Sequence, residues 1–301
     1  MKLKREIFYL AKAFFEYKRG VDYIHHRFFV APRIFKKNSI SQKKINRSDL
    51  SIHVLTSHHD LTMLFWALAS FIKVSEILGQ LIIHSDGSLT PRDKKIIGRV
   101  FPTAEVIEPA DFINRFEPEL KKWPDLHRLR TAYPDLFLLK KLVDPFFSSA
   151  KKWHLIVDSD LLWFGSPDEI YSALNSDWSL MMQGLAQGEG NIVVFKDGTK
   201  LAVELAHYNS GIVLYQRDNF DLEKLNDYAA KIDPRVSRNC HFIEQAGYAY
   251  CLRNLTPLPT RKYQIKGAKN DQTIVKHYTA PRRPMFFAEG VKELKNKILN
   301  Q

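Results

Sequence analysis

Between residues 50 and 290, apolar segments of strand length alternate with longer helical segments, which limits this chain to the α/β class. The run Trp153–Val157 is apolar at four of its five positions, as expected of a central strand buried on both faces. Further strands are predicted at Ile52–Ser57, Leu81–His84, Ala104–Ile107, Ser179–Met182, Ile192–Phe195 and Gly211–Tyr215. Helices are predicted at Leu61–Leu78, after the N-cap Thr90, and around Leu136–Leu142, where Pro145 limits the length.

The pattern fits one large domain. No repeat and no Pro/Gly/Ser linker interrupts residues 50–290. We therefore expect a single α/β domain over residues 48–292, an N-terminal helical arm over 1–47 and a short tail over 293–301. Only two cysteines occur in the 301 residues, so plain thiols in a reducing compartment are the default expectation.

The N-terminal arm differs from the rest of the chain in charge. Residues 1–47 hold thirteen Lys and Arg against three Asp and Glu, whereas the other 254 residues hold 32 against 30. The near-neutral body lacks any recognisable nucleic-acid motif, so no nucleic-acid partner is expected. Aromatic residues interleave with the bases of the arm. This composition fits either a helix lying on an anionic membrane surface or an arm packed on the main domain.

Two expectations about location and function follow from the arm. No export signal is evident, so we expect a cytoplasmic protein, with peripheral contact at the inner face of a membrane if the arm binds lipid. A non-catalytic module that binds polyanions or membranes through residues 1–47 is an alternative function.

A pair of acidic residues follows the apolar strand directly. Asp158 and Asp160 come after Trp153–Val157, and alternate residues of a strand point to the same side. Carboxylates placed together at the end of a strand can hold a hard divalent cation, which in turn binds phosphate oxygens. The alternative is that the two aspartates cap the following turn.

Two downstream segments add ligand chemistry. The first places Asn209 and Gly211 at the entry to a predicted strand, where an amide can donate and accept and a glycine lets a ligand approach the backbone. The second, Val275–Pro284, adds His277 as an imidazole ligand and Arg283 as a partner for phosphate. Taken alone, each segment also fits an ordinary turn or a solvated basic loop.

The order of these motifs resembles the glycosyltransferases of the GT-A fold, most closely the family-8 type, over roughly residues 50–290. This resemblance implies a Rossmann-like single domain with a mixed central sheet. Thr56-Ser57 resembles the nucleotide-binding edge of that fold, and Asp158-Ser159-Asp160 resembles its D-x-D motif. His207–Gly211 is similar to the N-[AS]-G segment, Glu244-Gln245 to the D-Q element, and His277–Pro284 to H-F-x-G-x-x-K-P.

The resemblance implies transfer of a sugar from a nucleotide diphosphate, with a UDP-sugar as donor substrate and Mn²⁺ or Mg²⁺ as cofactor. The implied ligands of the ion are Asp158, Asp160 and His277. The implied donor-binding residues are Thr56, Ser57, Asn209, Gly211 and Arg283. The implied catalytic residues are Gln245 and Glu244.

The resemblance also implies retention of configuration, with Gln245 stabilising the oxocarbenium-like centre. An inverting reaction would instead need Glu244 as general base. The expected acceptor is a saccharide or a lipid-linked acceptor, in the assembly of a glycan or surface polysaccharide. Four positions depart from the family pattern: Glu244 replaces Asp, Ala280 replaces Gly, Arg283 replaces Lys and Met285 replaces Trp.

Three other features support weaker hypotheses. Lys140 and Lys141 precede the D-x-D strand and could reach phosphates from the side, although a position on the surface of a helix is the commoner explanation. Gly184–Gly190 lacks the phosphate-loop and dinucleotide patterns, and we interpret it as a lid over the donor or a hairpin turn. The loop His58–Asp60 is expected near the nucleotide. It lacks a Gly-rich basic sequence, which disfavours the alternative of a sugar nucleotidyltransferase.

Overall fold

Ten strands in the described part of the chain form a seven-stranded and a three-stranded sheet. The computed structural model describes residues 2–40, 45–184, 193–235 and 240–300. The strands are β1 (Ile45–Thr56), β2 (Ile77–Ser85), β3 (Glu105–Ile107), β4 (Trp153–Asp158), β5 (Leu161–Trp163), β6 (Ser179–Gln183), β7 (Tyr208–Gln216), β8 (Leu255–Pro257), β9 (Tyr263–Gln264) and β10 (Val275–His277).

Helices surround the sheets and make up the N-terminal arm. The α-helices of the described residues are α1 (Lys2–Ala11), α2 (Gly20–Ile24), α3 (Leu61–Val74), α4 (Pro91–Val100), α5 (Pro109–Leu120), α6 (Pro124–Thr131), α7 (Leu138–Ser148), α8 (Asp168–Ala173), α9 (Leu222–Lys231), α10 (Cys240–Cys251), α11 (Arg283–Met285) and α12 (Lys292–Leu299). Turns of π-helix extend the helical path over Lys12–Glu16, His25–Val30 and Phe286–Val291. The helical character expected of the arm is confirmed.

The large sheet has the strand order β3-β2-β1-β4-β7-β6-β8. Strand β1 pairs in parallel with β2 on one side and β4 on the other, whereas β7 runs antiparallel to both β4 and β6. The α/β class and the mixed central sheet are therefore confirmed. The order of the strands along the sheet reverses between β1 and β4, whose carboxyl ends lie side by side. Open α/β sheets bind ligands at such a switch point.

The helix predicted at Leu61–Leu78 is shorter in the structure. It ends at Val74, and Ser75 adopts an extended conformation as its C-cap. Ile77 and Leu78, which the prediction placed in the helix, belong to β2. Their apolar side chains fit either element, so the pattern alone did not mark the boundary. The N-cap predicted at Thr90 is confirmed, and the structure adds a full capping box, since the Thr90 side chain accepts from the Asp93 amide and the Asp93 carboxylate accepts from the Thr90 amide.

The prediction that Pro145 limits the helix around Leu136–Leu142 is wrong. Helix α7 continues through Pro145 to Ser148. Proline cannot donate to the carbonyl of Lys141 four residues earlier, so that acceptor needs another partner. That partner is the hydroxyl of Tyr248 on α10, which donates to the Lys141 carbonyl oxygen at 2.5 Å. The helix therefore keeps its backbone bonding balanced across the proline.

Two predicted strands differ from the structure. β7 begins at Tyr208, so the polar residues expected to form a turn before Gly211 are already part of the strand. Ile192–Phe195 forms no strand among its described residues, where Val194 makes only an isolated bridge with Lys200. Ile192 itself lies outside the described residues, as do 185–190 of the predicted lid.

Both faces of the sheet are covered by buried apolar clusters. The N-terminal arm contributes Tyr9, Ala13, Tyr23, Val30, Ala31 and Ile34 to one of them. α12 contributes Leu294 and Ile298 to the same cluster. The inner side of the arm and the C-terminal helix thus pack on the main body. None of the described helices combines the length and the apolar character that crossing a membrane requires.

Candidate metal and donor site

The two sheets bring the acidic pair and a distant histidine together. Asp158 ends β4, and Asp160 lies in the turn that leads into β5. β5 pairs antiparallel with β10 in the register His277 to Leu161, and the Tyr278 amide donates to the Asp160 carbonyl oxygen at 3.0 Å. Pairing of the small sheet therefore carries His277 across 117 positions of sequence to the acidic turn.

The carboxylates of Asp158 and Asp160 converge on the imidazole of His277. His277 Nε2 lies 3.0 Å from Asp160 Oδ1 and 3.4 Å from Asp158 Oδ2. One ligand atom from each residue falls within 4.8 Å of the others, and no other such group of three metal-binding side chains occurs among the described residues. The geometry therefore gathers two carboxylate oxygens and one nitrogen around a single point.

The proton of the imidazole is held on the opposite side of the ring. Asn209 Oδ1 accepts from the Gly211 amide at 2.9 Å, so it is the carbonyl oxygen that faces His277 Nδ1 at 3.0 Å. Nδ1 must then be the donor, which leaves the lone pair of neutral His277 at Nε2. Three acceptors facing one another repel unless a proton or a cation lies between them. The arrangement suits a metal ion.

Each carboxylate has one oxygen already engaged by a cation. Lys141 Nζ lies 2.6 Å from Asp158 Oδ1. Arg283 donates to Asp160 Oδ2 from Nε at 3.2 Å and from Nη2 at 3.1 Å. Each aspartate is left with one oxygen turned toward Nε2. Two carboxylate oxygens and one imidazole fit a divalent ion such as Mn²⁺, with its other positions open for phosphate oxygens.

Arg283 spans two acids at the mouth of the site. Its Nη1 group donates to Asp60 Oδ1 at 3.1 Å, and Asp60 follows the carboxyl end of β1. Burial acts to raise the pKa of Asp160, but its interactions with His277 and Arg283, which include a hydrogen bond to each, outweigh burial, so this pKa lies well below its ordinary value. Asp160 is thus held ionised, as a metal ligand must be.

Gly211 makes room for the imidazole. A Cβ at this position would meet His277 Nδ1 at 2.5 Å and Cε1 at 2.8 Å. The sequence predicted that this glycine admits a ligand close to the backbone. The structure shows that the space above it is occupied by the ring of His277, so the glycine sets the position of the histidine against β7.

Lys141 is a residue of the candidate site that the sequence marked only as a weak candidate. A surface position was the favoured expectation for Lys140 and Lys141, and that expectation is wrong because both are buried on α7. Besides Asp158, Lys141 Nζ contacts the Ser210 carbonyl oxygen at 2.7 Å, Ser210 Oγ at 3.1 Å and Glu244 Oε1 at 3.4 Å. A pair of lysines between leucines, on the helix before an acidic strand end, was the available signal.

Glu244 reaches the site through this lysine. Its Oε2 accepts from Ser210 Oγ at 2.5 Å. Burial raises the pKa of Glu244, and the charge of Lys141 offsets only part of that effect. Burial would lower the pKa of Lys141, but Asp158 and Glu244 outweigh it and raise that pKa. The ammonium group of Lys141 thus lies between Asp158 and Glu244.

The remaining predicted residues lie at the end of β1, in the turn that follows it, and on α10. Thr56 and Ser57 follow Leu55, which is in register with Asp158, so they lie at the same edge of the sheet. Ser57 accepts from the Asp60 amide at 3.2 Å and caps the turn that presents Asp60 to Arg283. Gln245 is buried beside Glu244 on α10.

Comparison with known proteins supports the fold. No protein-family model matches the sequence, and no curated protein matches it. The galactosyltransferase LgtC, solved in complex with donor and acceptor sugar analogs, matches with a TM-score of 0.51 and 14% identity over 82% of this chain and 96% of that chain. WbbM, a bifunctional glycosyltransferase solved without ligand, matches with a TM-score of 0.51 and 11% identity over 87% of this chain.

This chain spans 53% of the length of WbbM and nearly all of LgtC. At these identities the likeness shows a shared fold. The expectation of a GT-A fold, drawn from the order of short motifs, is confirmed.

Proposed function

We propose that this protein is a glycosyltransferase that moves a sugar from a nucleotide diphosphate, most simply a UDP-sugar, to an acceptor hydroxyl with Mn²⁺ or Mg²⁺ as cofactor. The observation that carries the proposal is the convergence of Asp158, Asp160 and His277 at the carboxyl edge of the sheet. LgtC, which matches the fold, was solved with donor and acceptor sugar analogs, and this supports the same class of reaction here.

A divalent ion in this position would stabilise the negative charge that develops on the departing diphosphate. Asp158 and Asp160 would hold it through the oxygens that face His277 Nε2. Arg283 adds a second positive charge beside the ion, and its planar group of donors suits phosphate oxygens. This guanidinium is bonded to Asp60 and Asp160 in the structure. A diphosphate would compete with Asp60 for it.

The donor is proposed to lie along the ends of β1 and β7. Thr56 and Ser57 would contact the nucleotide, and Asn209 and Gly211 would border the sugar from the side of His277. Asn209 and Gly211 act on the metal ligand directly, since one bonds the imidazole and the other makes room for it.

We propose retention of configuration, with Gln245 beside the reacting carbon. Glu244 was the candidate general base for an inverting reaction. Its carboxylate is bonded to Ser210 and lies against Lys141 in the interior, which supports a positioning role instead. A base buried behind a lysine has no path to take a proton from an acceptor hydroxyl. The acceptor is proposed to be a saccharide or a lipid-linked acceptor of glycan or polysaccharide assembly, at the cytoplasmic side of a membrane.

The reaction can be tested without knowing the acceptor, because transferases of this type release UDP slowly to water. UDP release from UDP-glucose and UDP-galactose is measured with and without Mn²⁺. We expect release that needs the metal and falls roughly 100-fold in Asp160→Asn, which keeps the shape but weakens the ligand. The exposed Asp218→Asn is the matched control. Release that persists in chelator, or equal rates in both variants, would contradict the proposal.

A further inference from the structure

The outer side of the N-terminal arm gathers most of the exposed apolar surface of the described residues. Ten large hydrophobic side chains are exposed among the described residues, and seven of them lie on the arm between positions 7 and 29. Phe15 is 84% exposed, Val21 78% and Phe29 64%. Single exposed apolar residues are normal on protein surfaces, but a cluster of this kind marks an interaction site.

The exposed residues follow two helical stripes. In the first stripe the exposed residues recur three or four positions apart, and the stripe has a lysine at each end. Its members are Lys4, Ile7, Phe8, Ala11, Phe14, Phe15 and Lys18. The second segment repeats the pattern with bases at its far end: Val21, His25, Phe28, Phe29, Pro32, Arg33 and Lys36. A spacing of three to four is that of one face of a helix, so each stripe is a continuous surface.

The opposite side of the arm is fixed to the body. Tyr17 donates to the Pro281 carbonyl oxygen at 3.0 Å, and Arg19 donates to the Ala288 carbonyl oxygen at 3.3 Å. The ring of Tyr23 packs edge-on against Phe287 with centroids 6.1 Å apart. These bonds hold the stripes outward. The arm also lies beside the candidate site, since Pro281 and Ala288 flank Arg283.

The charge of the arm is positive on its exposed side. Each of its three acids is paired with a base: Glu6 with Arg27, Glu16 with Lys12, and Asp22 with Arg19 and Lys292. The exposed bases Lys4, Lys18, Arg33 and Lys36 lie at the ends of the stripes. Exposed aromatic rings between basic side chains match the headgroup region of an anionic bilayer, where rings enter the interface and bases meet phosphates.

We propose that these two stripes form a peripheral docking surface for anionic lipid bilayers. A second copy of the chain is a poorer occupant, because a two-fold dimer would press the same basic surface against itself. The surface is independent of sugar transfer. If the proposed function holds, docking places the candidate site at the membrane, and a lipid-linked acceptor becomes the natural substrate class.

The test is co-sedimentation of the full chain with vesicles. Vesicles of phosphatidylcholine alone are compared with vesicles of equal parts phosphatidylcholine and phosphatidylglycerol. We expect strong binding only to the anionic vesicles, weakened by salt, and a loss of about tenfold or more in the double variant Phe15→Glu/Phe29→Glu. The matched control is Trp178→Glu, which places the same charge at an exposed aromatic residue outside the arm.

Several results would overturn the proposal. These are absence of binding by the unmodified chain, equal binding by the double variant, or an equal loss in Trp178→Glu. A dimer in solution that the double variant dissociates would assign the surface to a second copy instead. Metal-dependent UDP release is measured on the same preparations, and the double variant should retain it. A chain that binds vesicles but releases no UDP would reject the proposed function and leave the docking surface intact.

Discussion

The imidazole of His277 lies directly against the backbone of Gly211, so close that a methyl group on residue 211 would come within 2.5 Å of Nδ1. This contact joins β10 of the small sheet to β7 of the large one. It fixes the direction in which Nε2 points, and the direction decides whether the histidine can share an ion with Asp158 and Asp160.

Gly211→Ala should therefore displace the histidine. We expect the affinity for Mn²⁺, measured by calorimetry with UDP present, to fall about tenfold or more, because a ring pushed from its place no longer directs Nε2 at the acids. The control is Gly98→Ala on α4, where a Cβ meets nothing within 4 Å. Unchanged affinity in Gly211→Ala would show that the histidine is not held by this contact.

Asn209 should act on the metal through the same ring. Removing its carbonyl in Asn209→Ala leaves Nδ1 without an acceptor, and we expect Mn²⁺ affinity to drop roughly 10-fold to 100-fold. Asn209→Asp should recover much of it, since a carboxylate also accepts from Nδ1. Asn175→Ala, at an exposed position, serves as control. If the aspartate variant binds no better than the alanine variant, the amide has another role.

Lys141 should be important for stability as well as for the site. Lys141→Met leaves Asp158 and the buried Glu244 without their shared cation, and we expect a loss of about 3 kcal/mol in the free energy of unfolding by urea. Lys141→Met/Glu244→Gln should recover part of that loss. Breaking the exposed pair of Lys231 and Asp227 by Lys231→Met should leave the free energy of unfolding almost unchanged, because solvent screens that pair. Equal losses in the two single variants would contradict a buried role for Lys141.

Three buried histidines form a stack across β2, β1 and β4. The ring of His53 lies 5.3 Å from that of His84 and 5.2 Å from that of His154, whose other face stacks on Tyr215 at 5.0 Å. Burial lowers the pKa of His84 and of His154 to about 3 and holds the pKa of His53 well below its ordinary value. All three are therefore neutral in the folded protein near neutral pH.

Acid should destabilise the protein through this stack. The unfolded chain takes up protons on these histidines below about pH 6.5, whereas the folded chain resists until about pH 3, so stability falls as the pH drops through that window. Between pH 7.5 and pH 5, the free energy of unfolding should fall by about 2 kcal/mol for each of His84 and His154. His154→Phe should remove its share, so urea unfolding of this variant should depend less on pH. An unchanged pH dependence would refute the assignment.

Much of the fold could be predicted because strands and acidic ends are local patterns. Trp153–Val157 marked the central strand, and the D-x-D that follows marked the edge of the sheet where the candidate site lies. The predictions that failed depended on distant partners. The helix continues past Pro145, and the Lys141 carbonyl oxygen that the proline leaves without a donor is bonded by Tyr248, 107 positions away.

The candidate site likewise contains some residues that the sequence could identify and others that it could not. Residue types with strong ligand chemistry, such as Asp160 and His277, were identifiable from the sequence. Lys141 was not, because whether a lysine on a helix is exposed or buried depends on which acids the fold brings to it. The role of Asn209 was equally hidden, since its partner His277 lies 68 positions further along the chain.

The central claim is that Asp158, Asp160 and His277 together hold one divalent ion for a nucleoside diphosphate. The direct test is titration of Mn²⁺ into the protein with UDP present, followed by electron paramagnetic resonance of the free ion. We predict one site per chain in the unmodified protein and in Asp218→Asn, and at least roughly tenfold weaker binding in Asp160→Asn and in His277→Ala. Binding that is equally tight in all four proteins would place the metal elsewhere and contradict the account.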